Sequence, residues 1–308
     1  MEKPRVVTHG YYKPYFYWMF PILVAKEQGL FEKEGVSLEV HDIVPGGQPE
    51  DKASWYSKAI DEGSRDFYFC CEWQGIYSTA QTGKGKIGAA IKSTLIKTFA
   101  IYARSDSGFT NVLDVVESGT PIAVNKNADA HYVTLKNLAE FVPEEKVTLE
   151  HLGGVEKCFK ALISGHSKAA TLAGPYAEAA DALGYRRLLP LSRTEPTVIV
   201  FDNELGMDTV SRFLVAINKA VSLIDGDRPK YERRYKEEFR QVVEKYIPEV
   251  ASKTDAIISR ISLPAWADAT ALSRDEFDSV RNFLLEHGLS AQGKGYEGSV
   301  SQPRVVSH

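Results

Sequence analysis

The run Asp66-Phe-Tyr-Phe-Cys70-Cys71-Glu72-Trp73-Gln74 puts two thiols, a carboxylate and an indole where an apolar strand gives way to a helix. A thiol at a helix N-terminus feels the positive end of the peptide dipoles, which favours the nucleophilic thiolate. Strand alternation sends neighbouring side chains to opposite faces, so one of the two cysteines is expected to pack inward as a small hydrophobe. Glu72 opposes thiolate formation, because an adjacent negative charge raises a thiol's pKa. His9, at the end of the first strand signal, is the histidine expected to share that edge. If the chain is an enzyme, Cys70, Cys71, Glu72 and His9 are its catalytic candidates. No Cys-His-Asn order accompanies them, and binding without chemistry is the preferred reading.

Other segments suit a ligand without suiting catalysis. The stretch His9 to Trp18 carries the rings of Tyr11, Tyr12, Tyr15, Tyr17 and Trp18, of which Tyr12, Tyr15 and Trp18 are expected to stack on a ligand alongside Trp73. At least half of those rings are expected to be core. Asn125-Lys126-Asn127-Ala128-Asp129 follows a short strand and opens a helix, so its amides, reinforced by Lys126, suit an anion, while Asn127 or Asp129 suits a plain helix cap. Gly46 and Gly47 permit close backbone approach to a ligand, and are equally plain turn chemistry. Ser93 offers a hydroxyl beside Lys92, and Gly174-Pro175-Tyr176 marks another strand-to-helix junction, with Tyr176 and Glu178 as its polar side chains. Pro175 at a first helical position also has a structural explanation.

These segments are spaced by alternating strand and helix signals. Strands are expected at 5–8, 36–42, 66–71 and 87–92, with helices at 18–28, 50–62 and 73–82. Gly29 ends the first helix, and a parallel strand follows. The run 98–104 reads as a crossover into a second alternation, with a strand at 121–124, helix 130–141, a strand near 147–151, helix 155–164, strand 169–172 and helix 175–183. The chain returns through 196–201. An apolar stripe of Val210, Phe213, Leu214, Ile217, Val221 and Ile224 then recurs at helical spacing. Helices are also expected at 230–247 and 274–286.

The expectation is an α/β protein of two doubly wound lobes joined by two crossover strands. Residues 1–97 and 202–290 form a discontinuous first lobe, 98–201 the second, and 291–308 a mobile tail. A length of 308 residues with 44% hydrophobic content accommodates two such lobes. A net charge of −4 with scattered Lys and Arg argues against nucleic acid, and no apolar run reaches membrane-span length. Three cysteines cannot build a disulfide framework, and the histidines lack metal-ligand spacing, so neither a cofactor nor a metal is expected. No signal-peptide pattern precedes the first strand, which predicts a cytoplasmic protein without a transporter partner.

Pro21-Ile-Leu-Val-Ala25, Gly29-Leu-Phe31 and Glu34-Gly-Val36 resemble the opening of the solute-binding proteins for taurine, alkanesulfonates, nitrate and thiamine-pyrimidine precursors, and of the related eukaryotic thiamine-pyrimidine synthase. Ala161-Leu-Ile-Ser-Gly165 and Gly174 to Gly184 continue the likeness. The resemblance implies a type II periplasmic-binding-protein fold with a ligand between the lobes. The synthase's catalytic residues are not matched: Cys70 stands where that family has its pyridoxal-phosphate lysine, Gln74 replaces its histidine, and Arg193 to Val198 replaces its cysteine run. A related desulfinase has its nucleophilic cysteine in the first loop, where this chain has none. The expected function is a cytosolic binding protein for a flat polar or anionic molecule, pyrimidine- or sulfonate-like. The alternative is a lyase or hydrolase acting on a heteroaromatic or sulfur compound.

Overall fold

A computed structural model describes residues 5–11, 13–42, 60, 62, 65–94, 99–125, 128–191, 196–289 and 293–303. The chain opens with β1 (Arg5–Tyr11), α1 (Phe16–Glu27), α2 (Leu30–Lys33) and β2 (Val36–Asp42). Gly29 adopts φ +63 between the helices, the left-handed turn that brings β2 parallel to β1. β3 (Phe67–Cys71), α3 (Glu72–Thr82) and β4 (Lys86–Ile91) follow. The Asp66 amide donates to Thr8 O, and Asp66 Oδ2 accepts from the Thr8 amide and hydroxyl, tying the base of β3 to β1.

The second lobe runs through β5 (Phe99–Ala103), α4 (Val112–Glu117), β6 (Ile122–Val124), α5 (Asp129–Leu138), β7 (Leu149–His151), α6 (Val155–Ser164), β8 (Ala169–Ala173), α7 (Gly174–Ala182) and β9 (Arg186–Pro190). Its sheet has the order β7-β6-β8-β5-β9, with β6 parallel to β7 and β8, and β5 antiparallel to β8 and β9. β10 (Thr197–Phe201) then returns to lie antiparallel between β3 and β4. A helical layer follows: α8 (Met207–Gly226), α9 (Arg228–Tyr246), α10 (Thr254–Arg260), α11 (Arg274–Glu286) and α12 (Tyr296–Ser299). The apolar stripe of α8 is fully buried, and Phe213 meets Phe31 and Phe67 with ring centroids 4.7 and 4.8 Å apart. Among the described residues no helix is long and apolar enough to cross a membrane.

Four expectations are corrected. The first loop is short: β1 extends to Tyr11 and α1 begins at Phe16, because Tyr17, Met19 and Phe20 bury their rings or side chains from the first turn onward. The run 98–104 is an interior strand of the second sheet, paired on both edges. Residues 197–201, assigned to the second lobe, complete the first lobe's sheet, since an entirely buried strand needs partners on both sides. The tail is packed over 293–303: Tyr296 meets Phe277 at 5.6 Å and donates its hydroxyl to Leu272 O, and the Ser301 amide donates to Ile87 O. The helix expected at 50–62 lies outside the described residues apart from Ile60 and Glu62.

Candidate functional site

β3 and β4 both run antiparallel to β10, so their carboxyl ends lie on one side of the first sheet. β6 and β8 likewise end together on the second. α3, α5 and α7 start at or shortly beyond Cys71, Val124 and Ala173, which directs the unpaired amides of three helix N-termini toward the two carboxyl edges.

The two cysteines have separate structural tasks. Cys71 Sγ accepts from the Gln74 amide at 3.3 Å and caps α3. Cys70 lies under that helix, its Sγ 3.4 Å from where a β-carbon on Gly75 would stand. Both are buried, as is Glu72 at 1% exposure. A thiol under a helix offers no amine, so this site does not fit the pyridoxal phosphate of the synthase. His9 is buried elsewhere: its ring stacks on Phe67 at 4.4 Å, and Nδ1 is 3.0 Å from Phe67 O, a carbonyl that requires Nδ1 to donate. Phe67 precedes Cys71 by four residues, about 13 Å of strand. Burial lowers the His9 pKa to about 3, so the ring is neutral near pH 7. The expected grouping of His9 with the cysteines and Glu72 is therefore corrected: the histidine is bonded at the opposite end of β3.

Trp73 does not leave its face open for a ligand. Tyr132 of α5 stacks on it at 4.9 Å and 18°, Phe283 of α11 meets it edge-on at 4.7 Å, and Lys136 Nζ lies 5.8 Å from the ring centre. The first-lobe and second-lobe carboxyl edges are thus in contact. Trp73 Nε1 and Gln74 Nε2 are buried donors with no hydrogen-bond partner among the described residues. Asn125 and His131 are also buried on the second-lobe side.

Trp18 is half-buried at the first turn of α1 and reaches Phe99 of β5, with ring centroids 6.3 Å apart. Tyr15 is half-buried and meets Tyr17 edge-on. Ser93 forms a bridge with Trp266 as the chain returns to β4. Tyr176, expected to touch ligand, is instead core: it is 1% exposed and packs on Phe159 of α6, because the first turn of α7 rotates it beneath the helix. Tyr12, Gly46, Gly47, Lys126 and Asn127 lie outside the described residues. Tyr132 and the side-chain amide of Gln74 as a donor are not foretold by the sequence. Their importance depends on a cross-lobe contact that leaves no spacing signal. Among the described residues no group of three His, Cys, Asp or Glu side chains is placed to hold a metal ion.

Two α/β lobes whose sheets turn their carboxyl edges toward each other, connected by two crossings and backed by a C-terminal helical layer, constitute the two-lobed periplasmic-binding-protein fold. The chain is similar in structure to the alkanesulfonate-binding protein SsuA from Xanthomonas axonopodis pv. citri bound to MOPS, with a TM-score of 0.74 and 16% identity over 97% of this chain and 99% of that one. It is similar to the Candida albicans CA3427 gene product, described as having the generic periplasmic binding protein fold, with a TM-score of 0.69 and 13% identity over 100% and 99% of the two chains. The nitrate-binding protein NrtA from Synechocystis PCC 6803 superposes with a TM-score of 0.67 and 12% identity over 93% of this chain and 82% of that one. No protein-family model and no curated protein sequence matches the chain. At these identities the likeness establishes the fold alone.

Proposed function

We propose that the chain binds a small polar or anionic molecule with acceptor oxygens, sulfonate- or pyrimidine-like, between its two lobes. The observation that carries this reading is the pair of buried donors Trp73 Nε1 and Gln74 Nε2, unpartnered among the described residues, at the first turn of α3, where Tyr132 arrives from the other lobe. A buried donor without an acceptor costs about 1–3 kcal/mol, which a ligand oxygen removes. The helix N-termini at both edges favour negative charge. Structures of the same fold include proteins described as binding alkanesulfonate and nitrate, which supports an oxyanion. The catalytic alternative loses its histidine to the bond with Phe67. None of the three cysteines is in a disulfide, which supports a reducing, cytoplasmic setting.

The test is native mass spectrometry of what co-purifies, followed by calorimetric titration of that compound into wild type and Gln74→Leu. The variant should bind about tenfold more weakly. Equal affinity would remove Gln74 from the site and, with it, the basis of the proposal.

A further inference from the structure

A cavity of about 240 Å³ lies along the seam between the lobes, with Tyr17 and Thr94 on its first-lobe wall, Gly174 and Glu178 on its second-lobe wall, and α9 with the chain after α10 closing it. Its lining includes one carboxylate and one guanidinium, side by side. Glu178 and Arg260 face each other with Oε2 and Nη2 3.7 Å apart, too far for a hydrogen bond. Glu178 is the deeper of the two, its side chain 22% exposed against 48% for Arg260. Burial raises the Glu178 pKa, an effect that Asp181 reinforces and Arg260 and Arg187 oppose. Tyr235 is 3% exposed and lines the same cavity. Phe239, Ile261, Leu263 and Pro264 supply the apolar part of the wall, and Thr94 and Ser262 add hydroxyls.

A lone cation here is repelled by Arg260, and a lone anion by Glu178. A zwitterion satisfies both, and the spacing of the pair sets its geometry. Carboxylate and guanidinium standing 3.7 Å apart match an ammonium and an oxyanion on the same or adjacent carbons. The ammonium lies inward against Glu178 and the aromatic rings, and the oxyanion outward against Arg260. The volume corresponds to about eight waters at liquid density, enough for a small side chain on the Phe239 and Leu263 side. From this geometry we infer that the seam cavity is a binding site for a small free α-amino acid, separate from the oxygen-acceptor site at Trp73 and Gln74.

Calorimetric titration of the intact chain with each common α-amino acid, 6-aminohexanoate, ethylammonium and propionate tests this. At least one small α-amino acid should bind with a dissociation constant below about 1 mM and about tenfold more tightly than the other three probes. Glu178→Gln and Arg260→Gln, each nearly isosteric at its charged end or shorter, should weaken that binding about tenfold while melting within a few degrees of wild type. The inference is overturned if no α-amino acid binds at about 10 mM, if 6-aminohexanoate or either single-charge probe binds equally well, or if both variants retain full affinity, as they would were the amino acid lodged at Gln74 instead. The comparison among probes uses the wild-type protein, so a variant that fails to fold does not prevent the test.

Discussion

The ring of Tyr17, on the first turn of α1, rests so closely on Gly174, the first residue of α7, that a β-carbon at Gly174 would stand 2.6 Å from its Cε1 and Cζ. Gly174 also holds φ +54, where only glycine is unstrained. One lobe supplies the ring and the other the flat surface that receives it, so the absence of a side chain at residue 174 permits the closed arrangement. Gly174→Ala should cost at least about 1–2 kcal/mol from the backbone alone and hold the lobes apart. Small-angle scattering should give a larger radius of gyration than wild type, and the double variant with Tyr17→Leu should recover the compact value. An unchanged radius in Gly174→Ala would show that the contact does not govern closure.

The Trp73–Tyr132 stack is another cross-lobe contact, and its contribution is separable from that of burial. A double-mutant cycle with Trp73→Leu and Tyr132→Leu, read by denaturant unfolding, should yield a coupling of about 0.5–1.5 kcal/mol. A coupling indistinguishable from zero would mean that the two rings are neighbours without energetic consequence.

His9 makes stability depend on pH in a definite direction. Its folded-state pKa of about 3 lies below the ordinary value of 6.5, so the unfolded chain binds the extra proton between those limits. The stabilisation is therefore complete above pH 6.5 and is lost progressively as the pH falls toward 3. By about pH 4.5 the loss attributable to His9 should be on the order of 2–3 kcal/mol. His9→Asn keeps a donor for Phe67 O and cannot titrate. Denaturant melts of wild type and variant at both pH values should show that much less acid sensitivity in the variant, and parallel losses would contradict the assignment.

The thiols are predicted to be inert in the native state, since Cys70, Cys71 and Cys158 are 6%, 2% and 0% exposed. Iodoacetamide should label them only as denaturant unfolds the chain. Cys71→Ala should lose the cap on α3 at a cost of about 1 kcal/mol, while Cys71→Ser should retain most of it. Rapid alkylation of Cys71 at neutral pH without denaturant would restore the nucleophile reading.

Much of this architecture was legible from periodicity. The stripe of α8 and the spans of α6 and α11 follow from helical spacing and end signals, and α6 and α11 match their expected ranges of 155–164 and 274–286. What could not be read depends on distant partners. Cys70 and Cys71 share a residue type, yet one lies under a helix and the other caps it, a distinction set by strand phase and by the placement of Gly75. Tyr176 carries the same signal as a ligand contact and is core because of how α7 packs on α6. Glu178 and Arg260 are 82 residues apart in sequence, and no local pattern foretells their meeting. The tail lacks periodicity because it docks through single residues, Tyr296 and Val300, instead of an amphipathic face.

The position of β10 bears on how the chain comes off the ribosome. Every strand of the second sheet lies between residues 99 and 190, so that lobe can form as soon as its own stretch has emerged. The first sheet cannot, because β3 and β4 have no strand between them until β10 arrives more than a hundred residues after β4 begins. During that interval two apolar strands present unpaired edges, the state most prone to association with other chains. Synthesis from the N-terminus thus lets the later lobe close first, while the earlier one waits with those edges uncovered until its central strand is delivered.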